Sequence, residues 1–147
     1  MTPKEIVEKM YNVAAPQAVQ MMIDVFAEDV VLREAESHPS IVSGIAPIGE
    51  EPGVWRGRDL VIQAVGQVFA SIGYDGDVVV KELVADGPRV IGLVDINGKD
   101  IDGNPYTMPA VEVFKVENEK ITEVQVYYYD TARLNALRGS MPQCLKD

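Results

Sequence analysis

The sequence predicts an α+β domain in which about three helices of the N-terminal half pack on a curved, mostly antiparallel sheet, giving a cone that encloses a pocket. Two observations carry this. The apolar period is helical as far as Ser71 and strand-like after it, and helices followed by a run of strands favour helices layered on one face of a sheet. The length, 147 residues, suits one core of ordinary size, so residues 1–147 read as one domain.

Each element has its own local signal. Thr2 is a helix N-cap followed by Pro3 and Glu5, and Ile6, Val7, Met10 and Tyr11 recur at helical spacing, so a first helix runs to about Ala14. Pro16 suits the first turn of a second helix, whose stripe is Ala18, Val19, Met22, Ile23 and Phe26. Asp29 punctuates the chain, and Val30 to Ala35 reads as a short strand with Val30, Leu32 and Glu34 on one face. Glu36 to Val54 holds Pro39, Gly44, Pro47, Gly49, Pro52 and Gly53 and reads as a long loop, of a length that is usually functional or mobile. Arg58 to Ser71 returns to helical period, with Leu60, Val61, Ala64, Val65, Val68 and Phe69 available for burial. Four strands follow, at Asp77–Val84, Arg89–Ile96, Tyr106–Val116 and Ile121–Tyr129, rich in Val, Ile and Tyr. The breaks between them, Asp86-Gly87-Pro88, Asn97-Gly98, Asp102-Gly103-Asn104 and Glu117-Asn118-Glu119, are short enough for an antiparallel meander. Asp130 caps a last short helix, Thr131 to Leu137.

Composition removes several classes of function. A net charge of -10 repels phosphate backbones and anionic lipid surfaces, so neither nucleic acid nor a membrane is expected as a partner. The single cysteine, Cys144, can form no internal disulfide and reads as incidental, so nothing requires an oxidising compartment. Met1 to Met10 carries alternating charges and is not a signal peptide, and no apolar stretch reaches membrane-spanning length; a cytoplasmic protein is expected.

There is no phosphate loop, no nucleophile elbow, no pair of Cys or His at metal spacing and only one histidine, so no metal and no cofactor is implied. What remains is carboxylates and phenols among apolar neighbours. Glu34 shares a face with Val30 and Leu32, and Glu112 stands in the alternation Met108, Ala110, Glu112, Phe114. A carboxyl on an apolar face loses hydration, which disfavours its charged form and suits it to carry protons near neutrality. The plainer reading is an acid on an edge strand in solvent, with Tyr11 as core. Tyr127, Tyr128 and Tyr129 alternate faces, so only some of them see a pocket, and Tyr128 is the candidate. Asp95 lies between apolar strand residues and His38 in the long loop; each is a candidate for the ligand if its segment turns inward, and a surface residue otherwise. Trp55 is expected at the pocket rim and Phe69 on its wall.

The run Phe26-Ala27-Glu28-Asp29-Val30-Val31-Leu32-Arg33-Glu34, then Trp55-Arg56-Gly57-Arg58 opening a helix, then Val113-Phe114-Lys115-Val116, Lys120-Ile121 and Val126-Tyr127-Tyr128-Tyr129-Asp130, resembles the NTF2-like superfamily. Within it the chain is similar to the ketosteroid isomerase and SnoaL-like polyketide cyclase branch. The resemblance spans nearly everything outside residues 36–54 and implies the cone-shaped fold. It does not fix one activity, since the superfamily holds isomerases, aldol cyclases, dehydratases, epoxide hydrolases and proteins without catalysis.

Ketosteroid isomerases use a first-helix tyrosine, an aspartate base ending the strand after the Ala-acid-Asp turn, and an aspartic acid on a late strand. The resemblance places these on Tyr11, with a one-residue gap, on Glu34 and on Glu112. It implies Glu34 as base, with Tyr11 and Glu112 donating to an enolate oxygen. Both acids are one methylene longer here, which moves the reacting atoms by about an ångström. Limonene epoxide hydrolases carry a tryptophan and an aspartate where this chain has Gln125 and Tyr127, so epoxide opening fits less well. Three functions follow as expectations: an isomerase or cyclase acting on a hydrophobic carbonyl compound, a non-catalytic binder of small ligands, and an interaction module. Pairing as a homodimer through the outer sheet face is compatible with all three, and Val111, Val113, Val124 and Val126 leave open whether both faces are apolar.

Overall fold

Thr2 opens the first helix, α1 (Pro3–Tyr11), with a reciprocal capping box: its hydroxyl accepts from the Glu5 N–H while the Glu5 carboxylate accepts from the Thr2 N–H. The computed structural model describes residues 1–38, 51–71, 74–100 and 102–137. A 3-10 turn at Ala15–Gln17 leads into α2 (Ala18–Val25), which passes straight into β1 (Phe26–Arg33). Then come β2 (Val54–Arg56), α3 (Arg58–Ser71), β3 (Tyr74–Asp86), β4 (Arg89–Lys99), β5 (Pro105–Glu117), β6 (Lys120–Tyr128) and α4 (Thr131–Ala136).

The strands form one sheet in the order β2-β1-β6-β5-β4-β3, antiparallel throughout except where β1 runs parallel to β6. That exception puts the C-terminal ends of β1 and β6 at the same edge, with Leu32 against Val124 and Arg33 against Gln125. The inner face is apolar by strict alternation: Val90, Val94 and Ile96 on β4, Met108, Ala110 and Phe114 on β5, Val124 and Val126 on β6. The helices close over it, with Ile6 and Val7 of α1 and Val61 and Ala64 of α3 in the same buried cluster. Burying side chains of this size contributes about 1.5–3 kcal/mol each, which makes the sheet's inner face the main source of stability.

Four expectations are corrected. Phe26 does not end the second helix; as its C-cap it already has extended backbone and begins β1. Asp29 lies within that strand, at the irregularity where the β1–β6 register slips between Phe26 and Val31. Val54–Arg56, expected as loop and helix approach, is a short edge strand on β1. Asn97-Gly98 is not a turn: both residues are in β4, opposite Thr107 and Tyr106, and the chain reverses at Asp100–Asn104, where the Asp100 carboxylate accepts from the Asp102 and Asn104 N–H groups. Asx geometry of this kind competes with the turn that Asn-Gly would otherwise make. Pro39, Gly44, Pro47 and Gly49 of the long loop, and Cys144, lie outside the described residues. No helix among the described residues is long and apolar enough to cross a membrane.

Candidate active site

A single row across the inner face carries the polar groups. Glu112 of β5 is paired with Gly92 on one side and Val126 on the other, and the β1–β6 register carries Glu34 toward Val126 from beyond β1. Apolar residues stand above and below this row, so its carboxyls have little else to interact with. Tyr11, at the last turn of α1, reaches into it, and its hydroxyl donates to Glu112 Oε1 at 2.6 Å. Its ring stands edge-on to Phe114, with centroids 5.9 Å apart, a favourable aromatic arrangement. The hydroxyl fits because Gly92 has no side chain: a Cβ there would lie 2.9 Å from the Tyr11 hydroxyl oxygen.

The other end of the row belongs to Glu34. The Tyr128 hydroxyl, at the end of β6, donates to the Glu34 carboxyl. The Glu34 backbone N–H donates to the Gly53 carbonyl at 2.8 Å, which ties the residue to the strand edge. His38 is fully buried and packs its ring on that of Tyr128, with centroids 5.3 Å apart.

These surroundings shift the titration of every member. Burial pushes Glu34 up to about 8; the Tyr128 hydrogen bond opposes this and the charge of Glu112 adds to it. Burial likewise raises Glu112, against the Tyr11 hydrogen bond. Both glutamates are only partly buried as residues, while Glu34 Oε2 itself is out of solvent. Both phenols are raised, by burial first and then by the carboxylates beside them. Burial holds His38 down at about 4, so it is neutral at physiological pH.

Of the residues singled out in the sequence, Tyr11, Glu34, Glu112, Tyr128 and His38 are brought together. Asp95 is not. Val94 and Ile96 point inward, so Asp95 between them points outward, opposite Val79 and Pro109, where it pairs with Lys81 at 3.5 Å. Trp55 is not at a rim: it is fully buried, opposite Leu32, as part of the core. Phe69 packs against the same core from α3. Sequence reading missed Gly92 and Tyr106. An isolated glycine within a strand pattern signals close approach of another group, and Tyr106 continues the alternation of Met108, Ala110 and Glu112, close enough to influence Tyr128.

A cleft of about 280 Å³ between α1 and β3, lined by Lys4, Glu8, Tyr11, Lys81 and Leu83 among others, leads to the Tyr11 end. A larger groove of about 480 Å³ at the start of α3, beside Glu28, Arg56 and Arg58, contains none of the shifted groups, which leaves the carboxyl row as the candidate site. No set of three or more potential metal ligands occurs among the described residues.

The sequence profile of the SnoaL-like domain matches residues 7–124. No curated protein matches the chain in sequence. Among solved structures, an NTF2-like protein of Burkholderia thailandensis E264 superposes with a TM-score of 0.73 at 21% identity, covering 97% of this chain and 99% of that one. A protein of Jannaschia sp. CCS1, named as a SnoaL-like polyketide cyclase, gives 0.70 at 12% identity over 95% and 93% of the two chains. TerC, crystallised with polyporic acid, gives 0.74 at 18% identity over 95% and 100%. At these identities the superpositions speak for the fold, and the profile speaks for the family. With most of its length matched by that profile, the chain belongs to the SnoaL-like domain family, and its helices and sheet share the fold of these NTF2-like structures.

Proposed function

We propose that the protein is a cofactor-independent isomerase or cyclase that moves a proton on a hydrophobic, carbonyl-bearing small molecule of steroid-, terpenoid- or polyketide-like kind. The observation behind this is the enclosed pair of carboxyls, each held by a phenol and close enough for the charge of one to act on the other. Burial raises both, and over the range of pH in which one is protonated and the other charged an acid and a base stand together. A ligand carbonyl oxygen at Tyr11 and Glu112 accepts hydrogen bonds, which favours the protonated form of Glu112 and leaves the charge on Glu34. Glu34 then takes the proton from the carbon beside the carbonyl, while the phenol and the carboxylic acid donate to the enolate oxygen. Returning the proton to another carbon isomerises the ligand; attack of the enolate carbon on a second carbonyl closes a ring.

A binding protein of the same fold, a dehydratase and an epoxide hydrolase are the competing readings. The enclosed carboxyls count against the first, and the Gln125 and Tyr127 positions against the last. The test is uptake of deuterium from heavy water by β-tetralone, a ketone with acidic neighbouring hydrogens. Wild type should exceed buffer, and Glu34→Gln and Glu112→Gln should each fall by about 100-fold or more. Exchange no faster than buffer for all three proteins would end the acid–base reading.

We further propose a homodimer formed through the outer sheet face, supported by the exposed apolar residues Val79, Val84, Ile91 and Tyr127 on β3, β4 and β6. Light scattering should give twice the chain mass for wild type and the single mass for Ile91→Glu.

A further inference from the structure

Glu34 Oε2 and Trp55 Nε1 are buried polar atoms without a hydrogen-bond partner among the described residues. They belong to neighbouring strands. Trp55 of β2 stands directly opposite Leu32 of β1, and Glu34 follows Leu32 by two residues on the same side. Diagonal neighbours of this kind have Cβ atoms about 7–8 Å apart, within reach of an indole and a glutamate. One orphan is a donor and the other an acceptor. Buried donors without partners are rare in folded proteins, and Trp55 is fully buried, so bulk water does not serve its N–H.

The Glu34 carboxyl is also held in place. Tyr128 takes hold of it, and the buried His38 ring backs Tyr128. That leaves Oε2 as the oxygen that can meet a ligand, with the indole N–H as an unused donor on the adjoining strand. We propose that Trp55 is a specificity-determining ligand contact: its indole N–H donates to an oxygen of the ligand that lies beside the atom whose proton Glu34 Oε2 receives. The site therefore selects ligands with a second oxygen function next to the reacting position, in addition to the carbonyl held by Tyr11 and Glu112. This rests on the reading of the carboxyl row as the ligand site.

Trp55 is the only tryptophan, so a nitrogen-15-labelled sample of the full chain shows one indole N–H signal and needs no variant to assign it. The probes are β-naphthol, with one hydroxyl, and naphthoresorcinol, with two that flank a single carbon. Naphthoresorcinol should bind about tenfold tighter or better, because a donor left unmet by the poorer ligand penalises it, and it alone should move the indole signal. In Trp55→Phe the preference for naphthoresorcinol over β-naphthol should vanish, whatever the change in absolute affinity. Equal affinities, or bound naphthoresorcinol with the indole signal unmoved, would overturn the proposal; the latter would mean a permanently bound water occupies the donor. Should Trp55→Phe not fold, the wild-type signal and affinity ratio decide alone. A moved indole signal without β-tetralone exchange would reject the acid–base reading and keep the contact, whereas exchange without the naphthoresorcinol preference would reject the contact alone.

Discussion

Tyr11 meets Glu112 only because the residue beside Glu112 on β4 is glycine. A Cβ at position 92 would sit 2.9 Å from the phenol oxygen and 3.3 Å from Leu83 Cδ2, so Gly92→Ala should push the phenol away and mimic Tyr11→Phe. The double variant should then lose little more exchange activity than either single one, the non-additivity of two changes acting on one contact. Tyr128→Phe removes a hydrogen bond that favours the Glu34 carboxylate, and should raise its titration above about 8; Glu112→Gln removes a like charge, and should lower it. Carbon-13 NMR of the carboxyl reads both directions, and a Glu34 that titrates near its ordinary value in all three proteins would mean that its carboxyl is solvated.

The elements were legible in proportion to how far local chemistry governed them. The β5 alternation located Glu112 inward, and the bounds of α3, Arg58 to Ser71, could be read directly from its apolar spacing. The start of β1 could not, because Phe26 fits a helical stripe as well as a strand and only pairing with Ile121 of β6 decides between them. Trp55 was misplaced for a related reason. A strand of three residues has almost no pattern of its own, and β2 exists because β1 offers it an edge. Asp95 was misjudged by its neighbours: apolar residues on both sides in sequence mean the opposite face in a strand. The β1–β2 edge carries its own prediction. Gly53 has φ +76°, and a Cβ on it would come within 2.5 Å of the Glu34 carbonyl oxygen. Gly53→Ala should therefore cost about 2 kcal/mol or more in urea unfolding and disturb the Glu34 titration.

At the scale of the whole molecule, the buried acid and the buried imidazole pull stability in opposite directions with pH. Glu34 binds its proton more tightly folded than unfolded, so its contribution is complete below its ordinary 4.5 and is lost as pH rises through about 8. His38 binds its proton less tightly folded, so its contribution is complete above its ordinary 6.5 and is lost as pH falls through about 4. The two slopes oppose between 4.5 and 6.5, and Glu34 acts without that opposition from 6.5 to 8. Unfolding free energy should accordingly fall above neutrality, Glu34 contributing at most about 1.4 kcal/mol per pH unit and Glu112, also raised by burial, adding in the same direction. Glu34→Gln should flatten that fall, and a fall that persists unchanged in the variant would assign it to other groups. The parallel pairing of β1 with β6 has a consequence in time. It joins segments separated by most of the chain, and such closures are slow because loop entropy is spent before the contact is made. A ribosome must release the chain as far as Tyr128 before Glu34 acquires its phenol. The first three helices and the β3–β4 hairpin can be present earlier, so the site is completed only once β6 is made, and a chain halted in β5 has one carboxyl of the pair waiting beside an open seam.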